Sequence, residues 1–268
     1  MKSSKIIKTC LVSFSVIFIA NAQSISPSAF NSIGTSFQTP TAGMDINIGE
    51  AVTGIISNSN SQITQGLLQP LLYFLDLKIF LQGYYLGGST MANVIFNQTG
   101  MTNTIGIADT ITVELREVND PSKATVTSKV LLHTNGNTSC SYTKLIENGS
   151  YWIVIKHRNT IQSWSAQPVT FYSNIPVAYD FTFSANKTFG NNVTDVYNED
   201  VWSMYTGDLN QDEYIDIFDF PIFDYDNQTF VQIPIYSPSD MNGDGFADIF
   251  DFPIYDANNQ NFNMAMHP

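Results

Sequence analysis

Positive charge is scarce in this chain, which carries 11 Lys or Arg against 24 Asp or Glu over 268 residues, a formal net charge of −13. Phosphate backbones are gripped by clustered Lys and Arg, so nucleic acid is excluded as a partner. Cysteine is nearly absent, Cys10 and Cys140 being the two present. Histidine is sparse, and His133, His157 and His267 show no metal-ligand spacing. No Gly-x-Ser-x-Gly, Cys-His pair or phosphate-cradling glycine loop occurs. Glu114 and Glu117 could in principle flank a glycosidic bond, but residues three apart on an alternating strand face opposite sides, so they read as ordinary surface charge. A non-catalytic protein is therefore expected. Long apolar runs are missing too, and the stretch from Leu11 to Ala20 falls short of the roughly 20 residues a membrane span requires.

That stretch follows Lys2, Lys5 and Lys8 and closes on Ala20-Asn21-Ala22 before Gln23. A basic start, a short apolar run and a small-x-small end form a secretory signal peptide, assigned to residues 1–22. The mature chain is expected to be secreted or held at the cell surface. Cleavage leaves Cys140 alone, so no intramolecular disulfide is available, and the fold must rest on a sizeable core, on metal, or on both. Cys140 lies in Thr138-Ser-Cys-Ser-Tyr142, where alternation predicts an inward-facing, inert strand residue.

Aspartate is abundant, and it recurs in register. The run from Asp208 to Asp224 returns from Asp240 to Asp256, with every aspartate shifted by 32. Within each copy, oxygen-bearing side chains fall at positions 1, 3, 5, 9 and 12 of a twelve-residue window, the spacing of an EF-hand calcium loop. Calcium accepts about six to eight oxygens without demanding one rigid geometry, and a short loop surrounds it when alternate side chains point inward. The expected ligands in the first loop are Asp208, Asn210, Asp212, the carbonyl of Tyr214, Asp216 and Asp219. Those in the second are Asp240, Asn242, Asp244, the carbonyl of Phe246, Asp248 and Asp251. Two Ca²⁺ ions are implied. Ile215 and Ala247, at position 8, are the residues through which the loops could pair back to back. Gly245 supplies the turn at position 6, whereas Glu213 must adopt a left-handed or strained backbone there, which predicts a weaker first site. Residues 201–268 hold 12 Asp or Glu and no Lys or Arg. Such a segment repels itself without cations, so its folding should depend on calcium.

Between leader and repeat the chain reads as all-β. Strands are predicted at 77–83, 110–116, 128–133, 151–158, 161–166, 168–172 and 179–183, punctuated by Gly87-Gly88, Asn119-Asp-Pro121, Asn135-Gly136 and Asn148-Gly149. About seven short strands define an immunoglobulin-like β-sandwich, assigned to residues 77–200, with His157, Arg158 and Trp164 read as packing at its rim. Residues 23–76 are assigned as a linker with a small β-element, extended or disordered from 24 to 41, with a hairpin of 44–56 against 62–69.

The duplicated Asp-x-Asn-x-Asp-x-x-x-Asp-x-x-Asp segment resembles the type I dockerin module of polysaccharide-degrading systems, in which each calcium loop leads into a helix. The resemblance assigns residues 201–268 to a tandem, EF-hand-like module and implies the same twelve ligands. The stretches 109–116, 152–159 and 163–166 are similar to the β-domain preceding such repeats in exported Bacteroidetes proteins, and 48–52 with 63–70 to an amino-terminal element of the same kind. Proline follows each loop in Phe220-Pro-Ile-Phe and Phe252-Pro-Ile-Tyr, implying helices of one or two turns capped early by Asn227 and Asn258-Asn259. Phe218, Phe220 and Ile222 with Phe250, Phe252 and Ile254 are expected to form the core shared by the repeats. The expected function is a structural or docking module beside a β-sandwich for binding or adhesion. The alternative is a dockerin-bearing enzyme or accessory of a polysaccharide-degrading system. The partner would be a cohesin-like or cell-surface protein, or a polysaccharide.

Overall fold

The computed structural model describes residues 31–39, 42–50, 56–58, 61–63, 71–229 and 237–268. The expected leader, 1–22, lies outside them. The chain divides into two compact units, 1–70 and 71–268.

In the first unit, β1 (Asn31–Thr39) pairs antiparallel with β2 (Ala42–Glu50), and β3 (Ile56–Asn58) with β4 (Ser61–Ile63). In the second pair Asn58 lies opposite Ser61. The expected hairpin of 44–56 against 62–69 is corrected, because Met44 lies opposite Phe37 in β1, and 31–39 is strand, the extended of the two conformations expected for 24–41. Its Ile33, Thr35 and Phe37 alternate with small polar residues, a period-2 pattern that outweighs the Ser and Thr content.

The second unit begins at Leu71, not Leu77, because the alternation of buried and outward residues already runs from Tyr73. Along it lie β5 (Tyr73–Lys78), β6 (Tyr85–Gly87), β7 (Thr90–Met91), helix α1 (Val94–Thr99), β8 (Ile107–Glu117), β9 (Val126–His133), β10 (Asn137–Tyr142), β11 (Ser150–His157) and β12 (Thr160–Trp164). Next come β13 (Val169–Thr170), β14 (Pro176–Asp180), β15 (Thr194–Asp195), β16 (Trp202–Ser203), α2 (Phe220–Thr229) and α3 (Phe252–Gln260). A three-stranded sheet has the order β10-β5-β14, with β14 parallel to β5. A second sheet runs β12-β11-β8-β9, with β13 also on β11.

One core joins the two sheets. Tyr73, Leu75, Leu77, Cys140 and Tyr142 of the smaller sheet share it with Ile111, Val113, Leu115, Ile153 and Ile155 of the larger. The chain is thus mainly β, and the sandwich is present. Cys140 is buried, and burial pushes its thiol pKa up, away from the reactive thiolate. Trp164 packs edge-on to Trp152 with centroids 6.3 Å apart, and the Arg116 guanidinium sits over it at 4.8 Å. Glu114 is not a plain surface charge, since it pairs with Arg116 at 2.6 Å and Lys156 at 3.3 Å.

The helices after the repeats are longer than the asparagines suggested. Asn227 lies inside α2, and Asn258 and Asn259 inside α3. Asparagine costs a helix only a fraction of a kcal/mol per residue, and proline in the first turn removes an N–H that has no helical partner anyway. A second core of Ile161, Leu209, Ile215, Phe223, Met241 and Tyr255 lies between the repeats and β12, with Ile222, Phe252 and Ile254 packed at its margin. Phe218 and Phe250 stay outside it, 70% and 71% exposed. They end the loop on its outer side, before the helical period turns residues toward the core. No helix among the described residues is long and apolar enough to cross a membrane.

Candidate metal centre

Each repeat folds its acidic window around four backbone-bonded carboxylates in nearly the same way. Asp219 Oδ1 accepts from the N–H of Leu209 at 2.7 Å and of Asn210 at 3.0 Å, and its Oδ2 accepts from Asp216 N–H at 3.0 Å. Asp251 repeats this with Met241, Asn242 and Asp248 at 2.7, 2.8 and 2.9 Å. The residue at position 12 therefore staples both ends of its loop. Position 1 does the same for the middle, where Asp208 accepts from Asp212 and Glu213, and Asp240 from Gly243 and Gly245.

Asp208, Asp219, Asp240 and Asp251 are all buried, at 2%, 0%, 0% and 0% exposure. None forms an ion pair with Lys, Arg or His among the described residues. Burial pushes Asp208 up to about 7, reinforced by the charges of Asp219 and Asp212. Burial likewise pushes Asp251 up to about 7, with Asp240 adding to it, and raises Asp219; it raises Asp240 too, against the nearby Arg158 charge and the Gln98 hydrogen bond. Buried carboxylates without a compensating charge are costly, and a cation between them removes that cost.

Positions 3, 5 and 9 are more exposed and face their own backbone. Asn210 and Asn242 accept from Asp212 and Asp244 N–H, Asp212 and Asp244 from Tyr214 and Phe246, and Asp216 and Asp248 from Phe218 and Phe250. Among the described residues no three carboxylate or imidazole groups converge on one point. The donor set still suits a hard, oxygen-seeking cation, since each loop holds four carboxylates, an amide oxygen and a backbone carbonyl. The N–H of Tyr214, at position 7, donates to Asp212 Oδ1 at 3.1 Å.

Glu213 has φ 77°, the left-handed backbone expected without glycine. Position 4 is left-handed as well, Gln211 at 61° and Gly243 at 77°, which the sequence reading did not anticipate. Glu213 also has a second task. Its side chain accepts from Gln162 Nε2 at 2.7 Å and lies 3.5 Å from His267 Nε2, while its carbonyl accepts from Ala265 N–H at 2.8 Å. Ile215 N–H donates to Asn263 O at 2.9 Å, so residues 263–265 run antiparallel to 213–215. Ile215 and Ala247 are both buried, but position 8 of the first loop is paired by this later segment and not by the second loop.

The second loop is seated on the sandwich. Gln98 Nε2 donates to Asp240 Oδ2 at 2.7 Å, and Asn97 Nδ2 to Gly243 O at 2.7 Å. Arg158 Nη1 donates to Ser237 O at 2.6 Å, while its Nε and Nη2 reach Asp109 and the Tyr84 hydroxyl, each at 2.9 Å. Asp109 also bonds His157 Nε2 at 3.0 Å. Burial opposes its ionisation, but His157 and Arg158 prevail and hold its pKa down at about 2. His157 and Arg158 thus serve the join between sandwich and loop rather than a surface rim. No spacing in the sequence marks Gln98, Asn97, Tyr84 or Gln162 as partners of the loops. The one available sign was glycine at 243 and 245 where the first copy has Gln211 and Glu213.

No protein-family model and no curated protein matches the chain. Among solved structures, it is similar to a chain of a type II Cohesin-X-Dockerin complex from Acetivibrio cellulolyticus, an N-terminal interface mutant, with TM-score 0.41 and 15% identity over 71% of this chain and 97% of that one. A C-terminal interface mutant of the same complex gives TM-score 0.39 and 15% identity over the same shares. Scores this low assign neither fold nor partner.

Proposed function

We propose that the chain is an exported, non-catalytic docking protein whose carboxy-terminal repeats fold around two calcium ions and whose β-sandwich carries them. The observation behind this reading is the repetition, in both loops, of buried carboxylates at positions 1 and 12 with no ion pair to compensate them. Asp208, Asn210, Asp212, the Tyr214 carbonyl, Asp216 and Asp219 would hold one ion, and Asp240, Asn242, Asp244, the Phe246 carbonyl, Asp248 and Asp251 the other. The ion supplies the charge that lets the carboxylates stay ionised and buried together.

The docking face would be the apolar pair that each loop leaves in solvent. Ile217 and Phe218 are 69% and 70% exposed, and Ile249 and Phe250 are 62% and 71% exposed. Large apolar side chains this exposed, repeated at equivalent places, suit a protein partner better than water. Calorimetric titration of calcium into chelator-treated chain 23–268 is the test. Two bound ions per chain support the reading, and absence of binding ends it.

A further inference from the structure

We infer that Gln98, on the short helix α1 of the sandwich, is a positioning residue for the second calcium loop, so that one of the two sites is completed from outside its own sequence repeat. The inference rests on the calcium reading above and goes beyond it, because the repeat alone predicts two equivalent sites differing only at position 6.

The geometry separates the two loops at position 1. A carboxylate offers about four lone-pair positions, two on each oxygen. Asp208 accepts one N–H on Oδ1, from Asp212, and one on Oδ2, from Glu213, leaving both oxygens able to face an ion. Asp240 accepts one on Oδ1, from Gly243, but two on Oδ2, from Gly245 N–H at 3.1 Å and Gln98 Nε2 at 2.7 Å. Oδ2 is therefore filled, and Oδ1 is the atom left to bind. Gln98 sets which oxygen of Asp240 meets the cation and holds the carboxylate in that orientation before the cation arrives. Groups that orient a metal ligand in this way commonly change affinity by 10–100-fold.

The glycines of the second loop show that the contact is built in. Gly243 and Gly245 share their left-handed backbone with Gln211 and Glu213, which carry full side chains, so the backbone angle alone does not demand glycine. What demands it is α1. A Cβ on Gly245 would lie 2.7 Å from the Asn97 carbonyl oxygen, and one on Gly243 would run into the Val94 side chain of the same helix and lie 2.9 Å from Tyr84 Cδ1. The loop gives up its side chains where it meets the helix that carries Gln98, and Asn97 bonds the Gly243 carbonyl beside it.

The test uses the chain 23–268 with one loop disabled at a time, Asp208→Asn leaving the second site and Asp240→Asn leaving the first. Gln98→Leu, which keeps the size and removes the donor, is added to each, and calcium affinity is measured by calorimetry together with the calcium-free melting temperature. The expected result is about 10-fold weaker binding in the Asp208→Asn background. Affinity in the Asp240→Asn background should not move, and the calcium-free melting temperature shows that each variant still folds. Equal weakening in both backgrounds, or no weakening in either, would overturn the inference while leaving the calcium reading in place. No calcium binding by the unsubstituted chain would overturn both. Should Gln98→Leu fail to fold, the Gln98 side-chain amide resonance supplies the answer without it. That resonance must shift as calcium fills the Asp208→Asn chain, and a static resonance refutes the assignment.

Discussion

Asn258 donates a 2.6 Å hydrogen bond from its side-chain amide to Gln82 Oε1, across 176 residues of sequence. The same amide nitrogen reaches Thr206 O at 2.6 Å, and Asn258 is 3% exposed. An asparagine that looks like a helix stop is in fact the bolt between the second repeat's helix and the sandwich. Asn258→Leu should cost about 1–3 kcal/mol, because it strands the buried Thr206 carbonyl and takes a partner from Gln82. Urea unfolding followed by circular dichroism measures it, and a change within the experimental error would show that water replaces the lost partner.

The position-12 carboxylates make a prediction whose sign depends on calcium. Asp251 is buried without an ion pair, so Asp251→Asn removes an uncompensated charge, which offsets the Asp248 N–H bond that its amide nitrogen can no longer accept, while keeping one oxygen for the N–H groups of Met241 and Asn242. In chelator the substitution should leave stability within roughly 1 kcal/mol of the parent. With calcium it should lose one of two ions and the stabilisation that ion confers, about 2.7 kcal/mol at a hundredfold excess over its dissociation constant. Paired melting curves decide the matter, and equal destabilisation in both buffers would contradict it.

Asp109 sets the acid limit of the join. Its folded pKa of about 2 lies below the ordinary 3.8, so the unfolded chain binds more protons between those values. Its stabilising contribution is complete above pH 3.8 and disappears as pH falls toward 2, amounting to about 2 kcal/mol. Asp109→Asn should flatten the acid-denaturation profile in that window, and an unchanged profile would remove Asp109 from the account.

Deleting residues 263–268 should loosen the first loop and spare the second. It removes the pairing of Asn263 and Ala265 with Ile215 and Glu213, and the His267 ring 5.9 Å from Trp164. A red-shifted tryptophan emission with calcium affinity reduced at one site is the expected pattern. Loss of both sites together would mean that the segment supports the whole unit.

The sequence displayed the loops better than their setting. Ligand spacing is a local property, and so is the left-handed backbone at Glu213, which was legible from the missing glycine. The sandwich strands were legible for the same reason, since alternation writes burial directly into Thr110 to Arg116 and Tyr151 to Arg158. Tertiary contacts leave no such period. Nothing near Asp240 in sequence points to Gln98, and nothing near Ile215 points to Asn263. Phe218 and Phe250 were assigned to the core because they sit beside Phe220 and Phe252, yet the turn from loop to helix puts them on the opposite side. The start of this strand at Tyr73 is less legible, because in Leu71-Leu-Tyr-Phe-Leu75 every residue is apolar and no alternation marks which side is buried.

The antiparallel pairing of 263–265 with 213–215 has a consequence for the order in which the protein is made. The first loop leaves the ribosome well before the strand that closes it, while the second loop is synthesised after the helix on which it sits. The second loop can therefore settle as soon as it emerges, whereas the first must wait, open, for the segment that follows its younger copy. The older loop would be the last to mature.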